Sequence, residues 1–266
     1  MIPGELGAKL AARRNWSEDE VRHALVLYLN TAFGRLHNRN PDVINLAKFL
    51  GRTPSAVALK LVNLAALDNS ISQRGMGNTS EMDRQVWSEF VSKPDQVIET
   101  FAKQSELMTP LDALRPEANP SRGMDEDGVA SQFHGNDKRV ETTRRVGQDL
   151  FRQMILVSYQ NRCALTGIED KRLLNASHIV PWKDDSQNRV NPSNGICLNA
   201  LHDRAFDRHL ITFDEDYKMK IAAHVPIVAR RQLERVDSGG LELPTRFLPD
   251  QEFLEQHRRV FYQKHA

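Results

Sequence analysis

The sequence predicts an α+β protein, with a mostly helical N-terminal domain joined to a C-terminal domain that mixes strands and helices. Three observations support this fold class. Apolar residues recur at helical spacing over residues 15–68, an acidic segment with several Pro and Gly residues follows at 105–138, and a strand, loop, strand and helix are indicated in order within 139–266. We therefore expect a helical domain at 1–104, a linker at 105–138 and a second domain at 139–266 that ends in a helix.

The composition is that of a globular protein. The chain has 266 residues, of which 40% are hydrophobic and 27% charged, so it is long enough for two domains with real cores. The longest apolar run near the N-terminus, Ala24–Leu29, is much shorter than the about 18 residues of a membrane span. The first residues also lack the apolar segment of a secretory signal. Two cysteines are too few for a disulfide framework, and we expect a cytoplasmic protein with no membrane partner.

Charge is distributed unevenly along the chain. The net charge of +1 neither favours nor disfavours a nucleic acid as the partner of the whole protein. Residues 1–68 and 137–183 are mildly basic, however, and residues 105–136 between them are acidic. This pattern is compatible with two domains that each face nucleic acid.

The helical domain contains clear signals for helix ends. Ser17 and Glu20 form a capping-box pattern at the start of the first helix. A second helix is predicted from Pro41 to Gly51, because glycine suits the left-handed position after a helix. Thr53 then caps a third helix, whose buried stripe we predict as Val57, Leu61, Leu64 and Leu67.

Two helices that meet at a tight turn have the layout of a helix-turn-helix unit. On this interpretation Arg52, in the turn, contacts a DNA phosphate, and the third helix presents Lys60 and Asn63 to DNA. Small helical bundles that bind only proteins have the same pattern, so both interpretations stay open.

The second domain carries the more specific pattern. Its predicted elements are a helix at 141–160, a strand at 172–182, a polar loop at 183–195, a helix at 199–210, a hairpin at 211–222 and a closing helix within 241–262. This order would put a histidine, His178, on a strand and two acids on the helix that follows. Taken alone, the octapeptide NASHIVPW around that histidine is more typical of a buried residue with a backbone partner.

These motifs resemble the HNH endonuclease family, specifically its restriction-type branch, whose catalytic unit is the ββα-metal fold. CALTG, ASHIVPW, NPSNGICLN and LHDRAFD follow one another, with Asn194 sixteen residues after His178 and Asp203 nine residues after Asn194. The resemblance covers about residues 148–222, and GRTPSAVALKLVN is similar to a domain often joined to such nucleases. It implies a metal-dependent DNA endonuclease that acts in restriction or defence against foreign DNA.

The resemblance also implies roles for two residues. His178 would be the general base, because a neutral imidazole can take the proton of an attacking water at cellular pH. Asn194 would bond the backbone across the loop and so orient the histidine. Asn194 and Gly195 are also an ordinary turn pair, and the two interpretations are compatible.

Two aspartates on the predicted helix are our expected metal ligands. Asp203 and Asp207 are separated by about 40° around the helix axis, so both can chelate one Mg²⁺ or Mn²⁺ ion. His202 points about 100° away from Asp203 and is a reserve ligand. The alternative for the aspartates is a solvated helix face on which Arg204 and Arg208 are their ion-pair partners.

The sequence departs from the family at two positions. Ser177 stands where the family commonly has an acidic or histidine ligand, so we expect the metal to rely on Asp203, Asp207, water and substrate oxygens. Cys163 and Cys197 lack the partners of a CxxC pair, so no structural zinc is expected and both cysteines should simply pack.

The remaining expectations concern partners. The cations expected to grip DNA phosphates near the site are Lys183, Arg189, Arg204 and Arg208. One catalytic unit per chain predicts a homodimer for cleavage of both strands. The alternatives are a non-catalytic DNA-binding or regulatory protein with a degenerate HNH fold, which Ser177 favours, and a nuclease for RNA or modified DNA.

Overall fold

The computed structural model describes residues 14–71, 77–108, 135–185, 187–237 and 239–265. Within these residues the chain combines helices with two small two-stranded antiparallel sheets, in line with the predicted mixture of α and β structure. None of the helices in the described ranges has the length and apolar character that a membrane crossing requires.

The N-terminal part is a bundle of helices. In the described residues these are α1 (Glu18–Leu29), α2 (Pro41–Leu50), α3 (Pro54–Ala65), α4 (Glu81–Ser92) and α5 (Asp95–Met108). The predicted helix ends are confirmed. Ser17 and Glu20 form the reciprocal capping box, Gly51 adopts a left-handed φ of 61°, and the Thr53 hydroxyl accepts from the third backbone N–H after it. Helix α5 was not expected.

Helix α3 does not expose the side chains that were predicted to face DNA. Lys60 is 5% exposed, and its ammonium lies 2.5 Å from the buried carboxylate of Asp83 on α4. Asn63 is buried as well. The helix packs against α1 and α2 and also against α4, so a position three residues after the buried Val57 faces protein and not solvent.

The turn residue Arg52 is also engaged inside the bundle. Its side chain is 8% exposed, donates to the Glu20 carboxylate at 2.7 Å, and lies 4.1 Å from the centre of the Trp16 ring. Arg52 and Lys60 are therefore paired with carboxylates inside the bundle and Asn63 is buried, whereas free side chains were expected; their contact with DNA stays a prediction. The order helix, turn, helix is present, but Lys60 and Asn63 on its expected contact face are buried.

The second part surrounds the β1–β2 hairpin. Its elements are α6 (Gly135–Ser158), β1 (Leu174–His178), β2 (Gly195–Asn199), α7 (Ala200–Asp207), β3 (Ile211–Phe213), β4 (Met219–Ile221), α8 (Ile227–Leu233) and α9 (Gln251–Lys264). The register pairs Leu174 with Asn199 and His178 with Gly195. Helices α6 and α7 both pack on this hairpin, and α9 packs on β3. The predicted hairpin at 211–222 is confirmed, whereas α8 was not expected.

A buried arginine joins the two parts of the chain. Arg246 is 2% exposed and donates to the backbone carbonyls of Tyr28 and Thr31, each at 3.2 Å. It also donates to the buried carboxylate of Asp68 at 3.2 Å, which accepts from the Tyr28 hydroxyl at 2.6 Å. The helical part is thus docked on the second part through a desolvated ion pair.

Helix α6 makes a second tight contact between the two parts. A methyl group built on Gly147 of α6 would lie 3.1 Å from Trp182, 3.4 Å from Ile98 of α5 and 3.6 Å from Val190. There is accordingly no spare room between α5, α6 and the loop after β1. Of the predicted linker, residues 109–134 lie outside the described residues, and α5 and α6 reach into its two ends.

Candidate functional site

His178 is the last residue of β1, and its ring is held from three sides. The ring stacks on Phe151 of α6 with centroids 3.8 Å apart and planes 13° apart. Trp182 meets it edge-on at 5.6 Å. Its Nε2 atom lies 2.9 Å from the backbone carbonyl oxygen of Arg189 in the loop that leads to β2. These contacts fix both the position and the plane of the imidazole.

The contact with Arg189 determines the tautomer of His178. A carbonyl oxygen can only accept, so Nε2 carries the proton and Nδ1 carries the lone pair. Burial lowers the pKa of His178 to about 4, and the hydrogen bond to the Arg189 carbonyl partly offsets this by raising the pKa. The ring is therefore neutral at cellular pH. Within the described residues Nδ1 has no hydrogen-bond partner, and that lone pair is what distinguishes a candidate base from a purely structural histidine.

Gly195 makes room for the wall behind the histidine. It lies opposite His178 in the hairpin, where a Cβ atom would come within 2.5 Å of Ile155 Cδ1 and 2.6 Å of Phe151 Cζ. Its φ of −142° is ordinary extended backbone, so the requirement is for space alone. Glycine at this position allows Phe151 to reach the hairpin and stack on the imidazole.

We expect Gly195→Ala to destabilise the protein by about 1–3 kcal/mol, because the added methyl group overpacks the contact with α6. The variant should also displace Phe151 and loosen the His178 ring. Urea unfolding measures the first effect, and the histidine ring resonances in an NMR spectrum report the second. The matched control is Gly34→Ala, since a methyl group at Gly34 meets nothing within 4 Å. Equal stability of the two variants would contradict this packing argument.

Asn194 clamps the two ends of the loop between β1 and β2. The side chain is fully buried, and its carbonyl oxygen accepts from the backbone N–H of Val180 at 2.8 Å. Its amide donates to the backbone carbonyls of Val180 at 3.1 Å and Asn188 at 3.3 Å. Because Asn188 adjoins Arg189, the clamp holds the carbonyl that bonds the His178 ring.

The other face of the hairpin meets α7. Asn175 and Ser177 alternate with His178 along β1, so their side chains point to the opposite face. Both donate to the Asp203 carboxylate: Asn175 Nδ2 reaches Oδ2 at 2.6 Å, and the Ser177 hydroxyl donates to Oδ1. The hydroxyl that replaces the expected metal ligand therefore orients a carboxylate on the helix.

Asp207 lies one turn after Asp203 and is exposed. Partial desolvation and the nearby negative charge of Asp203 raise the pKa of Asp207 to about 6. The positive charges of Arg204 and Arg208 act in the opposite direction and lower this pKa. A carboxylate whose ionisation is opposed by a neighbouring negative charge is stabilised in its ionised form by a divalent cation. The pair thus fits a hard cation, although within the described residues no group of three or more His, Cys, Asp or Glu side chains is arranged to hold one.

His202, the reserve ligand, is a structural residue. It is 1% exposed, its Nε2 donates to the Leu233 carbonyl at 3.0 Å, and its Nδ1 lies 3.1 Å from the Asn199 side-chain oxygen. Both nitrogens thus face protein oxygens at the junction of α7 and α8. The ring is thus engaged within the protein, and the role of His202 as a reserve metal ligand stays a prediction.

The imidazole and the carboxylates do not touch. No described hydrogen bond or ion pair joins His178 to Asp203 or Asp207, and strand alternation puts the ring on the α6 side and Asp203 on the α7 side. The sequence led us to expect the imidazole and the carboxylates around one shared metal ion. Instead they are linked through the adjacent residues Ser177 and His178 at the end of β1.

The cations expected to bind phosphate differ in whether their side chains already have partners in the protein. Lys183, Arg204 and Arg208 are exposed, and the ion pairs in the described part of the chain do not include them. Arg189 is partly committed, because its Nε donates to the Trp182 carbonyl at 3.0 Å and its guanidinium lies 5.6 Å from the Trp182 ring centre. Trp182 itself packs against His178 and α6, as expected of a residue beneath the hairpin.

Both cysteines are buried and free. Burial raises the pKa of Cys197 to about 12, with a contribution from Cys163. A thiol of that pKa stays protonated and is a poor nucleophile. Cys163 accepts the backbone N–H of Asn199 at 3.2 Å, at the start of α7.

The sequence interpretation missed three contributors to the site. Two of them hold the imidazole. Phe151 is distant from His178 in the sequence, and the Arg189 group is a backbone carbonyl, so neither could be recognised from the sequence. Asn175 did leave a signal: it is two residues before Ser177 on a predicted strand, so the two side chains share a face.

Comparison with known proteins agrees with this geometry. Residues 163–214 match a family model described as HNH endonuclease, and that segment includes His178, Asn194, Asp203 and Asp207. The chain has no match among curated proteins. The matched segment supports membership of this part of the chain in the HNH endonuclease family, and it suggests that the protein is a nuclease.

Proposed function

We propose that the protein is a metal-dependent endonuclease that hydrolyses DNA phosphodiester bonds with His178 as general base. The observation that carries the proposal is the state of the imidazole. It is neutral, its Nε2–H is bonded to the Arg189 carbonyl, and its Nδ1 lone pair has no partner in the described residues. This ring stands at the strand end next to the residue that orients the Asp203 carboxylate.

The chain's own residues account for the proton transfer. Nδ1 of His178 takes a proton from the attacking water, and the positive charge that forms on the ring is stabilised by the Nε2–H bond to the Arg189 carbonyl. Phe151 prevents the ring from turning, and Asn194 keeps the carbonyl in position. Lys183, Arg204 and Arg208 hold backbone phosphates in this proposal.

Asp203 and Asp207 would hold one divalent cation, Mg²⁺ or Mn²⁺. When bound, such an ion supplies charge stabilisation at the phosphoryl oxygens and at the leaving 3′ oxygen. Asn175 and Ser177 fix the orientation of the Asp203 carboxylate through their hydrogen bonds. Ser177 then contributes to the site without being a ligand.

The test is a plasmid assay. Supercoiled DNA is incubated with the protein in Mg²⁺ or Mn²⁺, and a parallel sample contains EDTA. We expect nicked and linear products only with metal. Undiminished cleavage in EDTA would contradict metal dependence, and single-stranded RNA in a parallel reaction identifies an RNA nuclease.

Asp203→Asn should lower cleavage by about 100-fold or more, since even a residue that only orients a metal ligand is worth about 10–100-fold. The amide keeps the size of the side chain but removes the charge that attracts the cation. Titration of the rate with Mn²⁺ should show a raised metal requirement. Asp216→Asn, at an exposed turn, is the control and should behave as the parent chain. An unchanged metal requirement in Asp203→Asn would rule out Asp203 as a ligand.

A second candidate is a DNA-binding or regulatory protein with a degenerate nuclease site. Ser177 at the expected ligand position favours it, as does the small number of carboxylates in the described site. The same assay separates the candidates. DNA binding in a gel-shift experiment, with no cleavage in any metal, would support the regulator.

We further propose that the protein acts in restriction or a related defence, and that two copies assemble to cut both strands. The support is the resemblance of the motifs and the presence of one hairpin–helix unit per chain. Light scattering of the DNA-bound protein measures the assembly. A monomer mass together with concerted double-strand cleavage would contradict the homodimer.

A further inference from the structure

A cluster of one lysine and three histidines lies just beyond the C-terminal end of α7, outside the residues assigned above. Lys264 of α9 donates to Nδ1 of His209 at 3.1 Å, and Nε2 of His265 donates to the His209 carbonyl at 2.7 Å. The His224 ring centre is 4.5 Å from that of His265. Lys264 and His224 are exposed. In the described part of α9, the ion pairs to carboxylates are made by Arg258 and Arg259, and Lys264 has none.

His209 adopts a backbone conformation that normally favours glycine. Its φ is 57°, and its N–H donates to the Phe206 carbonyl while Leu210 N–H donates to the Ala205 carbonyl, which closes α7. A side chain is retained at this strained position, and two of its contacts bear on Lys264. The ring stacks on His257 with centroids 4.4 Å apart, and it accepts the Lys264 hydrogen bond. The stacked imidazole therefore fixes the position of the ammonium.

The position of the cluster indicates what it binds. His209 is two residues after Asp207, and the exposed Arg208 lies between them. Lys264 thus adds positive charge directly after the carboxylate pair, at the end of α7. A nucleic-acid strand with its reacting phosphate at the carboxylates carries further phosphates on either side, and each is neutralised by a nearby Lys or Arg.

We propose that Lys264, positioned by His209, binds with Arg208 a backbone phosphate that flanks the scissile one. The inference rests on the proposed function, because it takes the Asp203 and Asp207 end of α7 as the place where the strand is cut. It assigns substrate contact to α9, a helix outside the segment that matches the HNH model. Such a contact positions the strand and carries no sequence information.

The test measures binding alone. A fluorescent DNA duplex is titrated with the protein in EDTA, and the association constant is followed by anisotropy over a range of salt concentrations. Lys264→Gln should lower the slope of log K against log salt by about one unit, which corresponds to one lost phosphate contact. Lys264→Arg keeps the charge and should retain the slope.

Arg259→Gln is the matched control. It removes the same charge from the same helix, but Arg259 is paired with Glu255 at 2.6 Å, so its slope should equal that of the parent chain. Equal slopes for Lys264→Gln and the parent, in a protein that cuts plasmid, would overturn this inference and leave the proposed function standing. A parent chain that neither binds nor cuts DNA would overturn the proposed function and this inference with it.

Discussion

His178→Ala is expected to lower the rate of DNA cleavage by about 10²–10⁴-fold, the usual contribution of a general base. The loss should appear in the rate with saturating metal and DNA, because no described hydrogen bond or ion pair joins the ring to the proposed ligands Asp203 and Asp207. DNA affinity in EDTA should stay within about twofold of the parent chain, since a neutral ring neutralises no phosphate. Single-turnover cleavage together with anisotropy separates the two quantities.

Two controls make the His178 result specific. His37→Ala removes an exposed histidine of the helical part and should leave cleavage unchanged. Added imidazole should restore part of the rate in His178→Ala, because the variant leaves a space against Phe151 that the free base can enter. Cleavage by His178→Ala at the parent rate would reject the general base.

The pH dependence gives an independent check on the same residue. The pKa of His178 is lowered to about 4, so the ring can accept a proton at every pH above that value. We therefore expect no acid limb from this ring near 6.5, the ordinary histidine value. Phe151→Leu removes the stacked aromatic ring, and its rate should fall while its pH profile moves toward that ordinary value.

Arg246→Met should destabilise the protein by about 3–5 kcal/mol, the cost of leaving a buried charge without its partner. Asp68 is 5% exposed and would keep a carboxylate facing the apolar junction between the two parts. Urea unfolding followed by tryptophan fluorescence measures the loss. We also expect a second transition, because the helical part is released before the hairpin region unfolds.

The double variant Asp68→Asn with Arg246→Met tests the origin of this effect. It removes both charges, so it should recover a large part of the stability lost in the single variant. Arg259→Met, which breaks an exposed pair, should change the free energy of unfolding by no more than about 0.5 kcal/mol. A single variant as stable as the parent would show that the ion pair does not hold the junction.

Local signals explain why much of the fold could be predicted. The capping box at Ser17 and the glycine stop at Gly51 depend only on neighbouring backbone groups, so they can be read without the rest of the chain. The hairpin and α7 were predictable for a different reason. Three motifs with fixed separations occur in the order that one family shares, and residues 163–214 match the model of that family.

The errors arose where a distant element decides the environment. Lys60 has the charge of a DNA-contacting residue, but α4 brings Asp83 against it and buries both. No local pattern foretells that pairing. The same holds for His178: Phe151 lies on α6, and only the folded hairpin, with Gly195 opposite the histidine, brings the two rings together.

The close packing around Gly147 limits how the two parts of the chain can be recombined with other domains. Ile98, Trp182 and Val190 meet at this one point of α6, and Arg246 crosses the same junction further along the chain. A chimaera that joins residues 135–265 to an unrelated domain would expose the apolar surface that Ile98 covers. It would also leave the Arg246 guanidinium without the acceptors described above. We therefore expect the hairpin region and the helical part to depend on each other for stability, so that a stable chimaera keeps them together.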